Sequence, residues 1–178
     1  MQLTAALLDL CKGSPRSVIA IDGPAGAGKT TLATNLALAL SQELRVQTIH
    51  MDDLYDGWQN SLGAQLSETL TYIVASHKNG EKVKVSKYDW IQSQFNEAQE
   101  IPEADLIILE GVGSGQLAIR DELAALLWID IDHALGLERV ISRDGDSIKA
   151  QMQKWLAQQE QHFAREGTQN AADFILTT

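Results

Sequence analysis

The segment Gly23-Pro24-Ala25-Gly26-Ala27-Gly28-Lys29-Thr30 sets two glycines five residues apart and follows them at once with a lysine and a hydroxyl. Glycines let a backbone wrap its N–H groups around the oxygens of an anion, and the lysine reaches the outer phosphates. Thr30 supplies a hydroxyl ligand for Mg²⁺, and a helix beginning here aims its positive end at the same anion. The octapeptide has the pattern G-x-x-x-x-G-K-[ST] of a P-loop, which implies binding of a nucleoside triphosphate, Mg·ATP. Gly23, Ala25, Gly26, Ala27, Gly28, Lys29, Thr30 and Thr31 are the expected nucleotide contacts. A glycine-rich turn without a ligand is the competing reading, but it leaves Lys29 with no packing role.

Two acidic stops could complete such a site. Asp52 and Asp53 close the apolar run Val46 to Met51, and Glu110 closes Asp105-Leu106-Ile107-Ile108-Leu109-Glu110. Carboxylates at the C-terminal ends of parallel strands face the crevice where open α/β sheets bind ligands. Asp52 there can bind Mg²⁺ through water or simply cap an acidic turn. Strand alternation would turn Asp53 away from it. Glu110 ends a strand whose apolarity makes a carboxylate costly without a cation or donor, so it reads as an outer Mg²⁺ ligand or as a cap on the following glycine turn. Arg139 and Arg143 lie four residues apart and would share one helical face. They can converge on a phosphate, where an arginine is worth ~10³ to 10⁵ in rate, or pair with Glu138 or Asp144 at the surface. His50, His77 and His162 read as exposed or internally satisfied histidines.

The elements that must position these groups are written in the hydrophobic pattern. Val18 to Asp22, Val46 to Met51, Asp105 to Glu110, Leu126 to Asp130 and Phe174 to Leu176 are short apolar runs expected to form strands. Leu32, Ala33, Leu36, Ala37, Leu40 and Leu44 recur at helical spacing directly after the loop. Ser147 to Arg165 reads as a long helix, and Met1 to Cys11 as a short one packing on the domain. Lys82 to Ser86, with alternate valines, reads as an edge strand beside a substrate pocket. The alternation predicts a P-loop NTPase fold, a three-layer α/β/α sandwich around a central parallel sheet of about five strands. No repeat or linker interrupts it, so residues 1–178 are expected to form one domain.

With 178 residues, 44% of them hydrophobic and 21% charged, the chain is long and apolar enough for a self-sufficient core. A formal net charge of −10 opposes duplex nucleic acid, so none is expected as a partner. A local cradle of N–H groups still binds an anionic nucleotide, because distant carboxylates are screened. Cys11 is the only cysteine, which excludes an internal disulfide and points to a cytoplasmic protein. No stretch approaches a membrane span, so no membrane association is expected. Oligomeric state is left open, a homodimer included.

Neither N-K-x-D nor D-x-x-G occurs, which argues against a switch GTPase. Gly113-Ser114-Gly115-Gln116 follows the acidic strand instead of preceding it and is expected to be a turn. From the P-loop to the final strand, the chain resembles the uridine kinase-like branch of P-loop kinases, which includes phosphoribulokinase and bacterial pantothenate kinase. Four segments carry the resemblance: Met51-Asp52-Asp53-Leu54-Tyr55, Val85-Ser86-Lys87-Tyr88-Asp89-Trp90, Leu109-Glu110-Gly111, and Arg139 with Arg143-Asp144. The resemblance implies transfer of the γ-phosphoryl of Mg·ATP to a hydroxyl of a small acceptor, nucleoside-like or other. Asp52 is then the base, Lys29 and Arg143 stabilise charge, and Arg139 contacts the nucleotide. Thr30, Asp52 and Glu110 serve Mg²⁺, while Asp53, Tyr55, Tyr88 and Asp89 line the acceptor pocket. The two tyrosines are as readily explained by packing.

The chain departs from that family in three places, one of them Gly57 to Thr71, where the family's acidic residues before the tyrosine-aspartate-aromatic motif have no clear counterpart. Ser93 and Phe95 stand where uridine kinases carry a histidine and an arginine that help read the nucleoside. The lid, about residues 139–150, is shortened after Arg143-Asp144 to Gly145-Asp146-Ser147-Ile148-Lys149, with Lys149 as a partial substitute for its arginines. A nucleoside monophosphate or cofactor-precursor kinase and a non-catalytic ATP-binding protein are the alternatives. A phosphate-bearing acceptor calls for arginines near Asp52, and there is none between Met51 and Ile119.

Overall fold

The computed structural model describes residues 2–178. Its elements run α1 (Gln2–Lys12), β1 (Ser17–Asp22), α2 (Lys29–Leu40), β2 (Val46–His50), α3 (Ala64–Asn79), β3 (Lys84–Val85), β4 (Tyr88–Asp89), β5 (Gln94–Phe95), β6 (Gln99–Glu100), β7 (Leu106–Glu110), α4 (Leu117–Arg120), β8 (Ala125–Asp130), α5 (His133–Asp144), α6 (Lys149–Glu166) and β9 (Phe174–Thr177). Five strands form one parallel sheet in the order β2-β7-β1-β8-β9.

Parallel strands covered on both faces need apolar residues at successive positions. All six residues of β1 and all five of β7 are buried. Their side chains alternate between two cores. Val18, Ile107 and Leu109 join Leu66, Leu70 and Ile73 of α3 and Met152 and Trp155 of α6. Ile19, Ile21, Leu106 and Ile108 join Leu7 and Cys11 of α1 and Ala33, Leu36 and Leu40 of α2. Helices therefore cover both sides of the sheet, which makes the expected three-layer α/β/α sandwich. Met1, the first residue of the expected N-terminal helix, lies outside the described residues.

Two expectations need correction. The edge strand expected over Lys82 to Ser86 does not join the central sheet. Only Lys84–Val85 is extended, paired antiparallel with Gln99–Glu100 in a separate ribbon. Val85 is buried in the α3 and α6 core, so one inward valine anchors the ribbon and the outward Lys84 stays exposed. The second strand ends at His50, and Met51–Asp53 coil into a 3₁₀ turn. Asp52 and Asp53 diverge through that turn, not through strand alternation.

The segment expected as a shortened lid spans the end of α5 and the corner before α6. Gly145, at φ 89° and ψ 167°, breaks the chain between them, and Asp146–Ile148 make one 3₁₀ turn before α6 starts. The positive φ suits a glycine and lets two long helices meet across very few residues.

Candidate active site

Strand β1, entirely buried, delivers the chain to Gly23, and α2 leaves at Lys29, so the glycine-rich loop sits at the C-terminal edge of the sheet. No side chain caps the N-terminus of α2, which leaves its first N–H groups free for a ligand. Helix α5 contrasts with it, since Asp132 accepts from the N–H groups of Ala134 and Leu135. The loop packs backbone to backbone against α5. A Cβ on Gly26 would stand 2.2 Å from the Gly136 carbonyl oxygen, and one on Gly136 would stand 2.7 Å from the Ala25 oxygen.

Lys29 is buried and donates from Nζ to the carbonyls of Gly23 at 2.8 Å and Pro24 at 2.7 Å. Burial holds its ammonium below the ordinary lysine range, against the pull of the Asp22, Glu110 and Asp52 carboxylates. The Thr30 hydroxyl donates to Glu110 Oε1 at 3.1 Å. The same oxygen lies 2.5 Å from His50 Nδ1, a bond that raises the histidine's pKa. β2 and β7 are neighbours in the sheet, with His50 directly in register with Glu110, which is why this pair forms.

These groups open on a cleft of about 450 Å³, within the range of small-molecule sites. The loop supplies Ala25, Gly26, Gly28, Lys29, Thr30 and Thr31 to its wall. Asp52 and Glu110 come from two strand ends, Arg139 and Arg143 from α5, and Trp155 from α6. Loss of water among these walls pushes the Asp52 carboxyl up from its usual range, and the nearby Glu110 adds to the effect.

No family model matches the chain. Among curated proteins, it is 24% identical over 183 residues to a uridine kinase of Lactobacillus helveticus, covering 89% of this chain and 85% of that one. It is 28% identical over 180 residues to a uridine kinase of Mycoplasma genitalium, covering 89% and 84%. Among solved structures, one described as a possible uridine kinase from Bacillus stearothermophilus aligns with a TM-score of 0.65 at 21% identity, over 99% of this chain and 100% of that one. In sequence and fold, the chain resembles the uridine kinase-like P-loop kinases.

Of the residues that this resemblance singles out, the cleft gathers Lys29, Thr30, Asp52, Tyr55, Glu110, Arg139 and Arg143. Arg143 holds Asp144 with two bonds of 2.7 Å, from Nε and Nη2, while both residues line the cleft. Arg139 Nη1 donates to the Gly26 carbonyl at 3.4 Å and to Thr178 Oγ1 at 3.3 Å, not to Glu138. Lys149 is absent from the cleft lining.

Asp53, Tyr88 and Asp89 stand apart from the cleft. The 3₁₀ turn carries Asp53 to Lys87, whose Nζ lies 2.7 Å away. Asp89 Oδ1 accepts from the N–H groups of Ile91 at 2.9 Å and Gln92 at 2.8 Å, which closes the β4–β5 hairpin. Tyr88 packs edge-on between Trp90 and Phe95 in the same hairpin.

Several residues at or behind the cleft had weak sequence signals or none. His50 had one, a histidine immediately before Met51-Asp52-Asp53 at a strand end. Trp58 lines the cleft from a loop, where no periodicity marks it, and Trp90, the aromatic that ends the segment Val85 to Trp90, lines it from another. Gln159 on α6 is buried and accepts from the Ala25 N–H at 3.1 Å, tying a helix 134 residues away to the phosphate loop. Asp22 is fully buried and accepts from the N–H groups of Gly23 at 2.8 Å, Gly113 at 3.0 Å and Gly115 at 2.9 Å. Burial pushes its carboxyl up to about 6 despite these bonds and nearby Lys29. Gly113 to Gln116 form the expected turn, clamped from behind by Asp22.

Among the described residues, no group of three or more His, Cys, Asp or Glu is arranged to hold a metal. Mg²⁺ needs no such cage, because it keeps several waters and takes one or two carboxylates plus substrate phosphates. Thr30 and Glu110, in contact beside Asp52, suit that kind of site.

Proposed function

We propose that this protein is a small-molecule kinase that transfers the γ-phosphoryl of Mg·ATP to a hydroxyl of its acceptor. One observation carries the reading. The phosphate loop, two strand-end carboxylates and two helix-borne arginines open on the same cleft.

The uncapped start of α2 and the N–H groups of the loop hold the triphosphate, and Lys29 turns from the Gly23 and Pro24 carbonyls to its outer phosphates. Thr30 and Glu110 would hold Mg²⁺, which would neutralise phosphate charge when bound. Asp52 accepts the proton of the acceptor hydroxyl, aided by a raised pKa that makes it a better base once ionised. The acceptor oxygen bonds to the γ-phosphorus, the bond to the bridging oxygen breaks, and ADP leaves with that electron pair. Arg139 and Arg143 face the transferring group from α5.

Kinase names among the relatives support this reading for nucleotide and reaction class. The test is acceptor-dependent ADP release across alcohols of different classes. Lys29→Ala should lower that release by a factor of about 10² or more, as loss of a transition-state donor does. Saturable ATP binding with no ADP release above background for any acceptor would make the chain a nucleotide-binding module instead.

A further inference from the structure

The geometry points to a cationic acceptor: an alcohol whose body carries a positively charged nitrogen, seated in a box of three indoles. This rests on the kinase reading above and concerns the acceptor end of the same cleft.

Three of the chain's four tryptophans line the cleft: Trp58, Trp90 and Trp155. Trp58 meets Trp90 at 61° with centroids 5.3 Å apart, and meets Trp155 at 83° and 6.2 Å. Planes so steeply inclined form walls of a box, and Trp90 remains 40% exposed. Tyr55 extends the aromatic surface, 5.2 Å from Trp155.

The polar tips of two of these walls, Tyr55 and Trp90, are already used. Tyr55 Oη donates to the Val112 carbonyl at 2.7 Å, and Trp90 Nε1 donates to the Asp52 carbonyl at 3.0 Å. The π faces of the walls remain for a ligand. Among the described residues, no Asn, Gln, Ser or His lines the cleft, so no neutral side-chain amide, imidazole or serine hydroxyl reads the edge of a base or a ring of sugar hydroxyls. Ser93 and Phe95, at the nucleoside-reading positions, lie in the β4–β5 hairpin turn and strand, also outside the lining.

Charge selects further. The lining holds three cations, Lys29, Arg139 and Arg143, and three carboxylates, Asp52, Glu110 and Asp144. A bound Mg·triphosphate is still anionic and engages the cations, so the cleft is left negative. An anionic acceptor is repelled there, a neutral polyol loses its hydrogen bonds to water, and a cation gains both indole faces and carboxylates. Aromatic faces attract a cation within about 6 Å of the ring centroid.

Tryptophan fluorescence can be titrated with choline and with tetramethylammonium, and compared with 3,3-dimethylbutan-1-ol, the uncharged carbon isostere of choline, and with uridine. Choline should bind at least about tenfold more tightly than the isostere and uridine, the margin expected of desolvated cation–π contacts. Trp58→Leu should lose that margin, and Trp58→Phe should keep most of it. Equal or tighter binding of the isostere or of uridine overturns the inference. So does failure of both cations to bind below about 10 mM, an affinity near the lower edge of specific recognition. ADP release measured with the same compounds separates the two claims. Release driven by a neutral alcohol alone overturns the cationic class and leaves the kinase reading intact. Cation binding without release from any alcohol keeps the box and removes the kinase.

Discussion

Asp52 is the residue on which the proposed chemistry turns, because it is the cleft carboxylate whose side chain has, among the described residues, neither a hydrogen-bond nor an ion-pair partner. Glu110 is engaged by Thr30 and His50, and Asp144 by Arg143. Asp52→Asn keeps the size of the side chain and removes its basicity. Phosphoryl transfer should fall by ~10² or more while ATP affinity, measured by calorimetry, stays within a few-fold, as expected for loss of a general base. Retained transfer would take Asp52 out of the mechanism. Asp52 and Glu110 were visible in the sequence because each ends an apolar run, and burial demands a reason for a charge there. His50 was only weakly marked, by its place before Met51-Asp52-Asp53, because its meaning depends on a neighbour 60 residues away.

Among the elements, α5 is what completes the proposed nucleotide site. It brings Arg139 and Arg143 to the cleft, and it approaches the loop so closely that Gly136 has no room for a side chain. A Cβ at Gly136 meets a backbone oxygen, which cannot rotate away as a flexible side chain would. Gly136→Ala should therefore displace the loop, costing about 1–3 kcal/mol of stability by thermal melts and weakening ATP binding several-fold. An unchanged ATP affinity would mean that the loop accommodates the shift. The strands and long helices were legible because their apolar residues repeat with periods that one window of sequence contains. Short ribbons were not, since β3 holds only two residues and its partner follows 14 residues later, too little pattern to choose a sheet. Of the aromatic walls, Tyr55 and Trp90 stood in segments that carry the resemblance, whereas Trp58 escaped because it sits in a loop with no period to mark it.

Across the whole molecule, two buried groups set opposite dependences of stability on pH. His162 is buried, accepts from Arg165 Nη2 on Nδ1 and has, among the described residues, no partner for Nε2, and burial lowers its pKa from 6.5 to about 4. The unfolded chain takes up that proton first, so stability falls as pH drops from about 6.5 towards 4. Asp22 is raised from 3.8 to about 6, so the native state holds its proton first and stability rises as pH falls through that window. Each slope reaches roughly 1.4 kcal/mol per pH unit, and between pH 6 and 4 they offset one another. His162→Gln should unmask the Asp22 slope, so that urea midpoints rise on acidification from pH 6 more than in the parent. An identical pH profile in the two proteins would show that His162 is not held neutral. Asp22 has a second consequence, for time and not for energy. Gly111 to Gly115 has the composition of a floppy surface loop, yet two of its amides end on a fully buried carboxylate. In deuterium exchange, Gly113 and Gly115 should therefore persist with the strands of the central sheet, so that by its kinetics this glycine loop counts as part of the core.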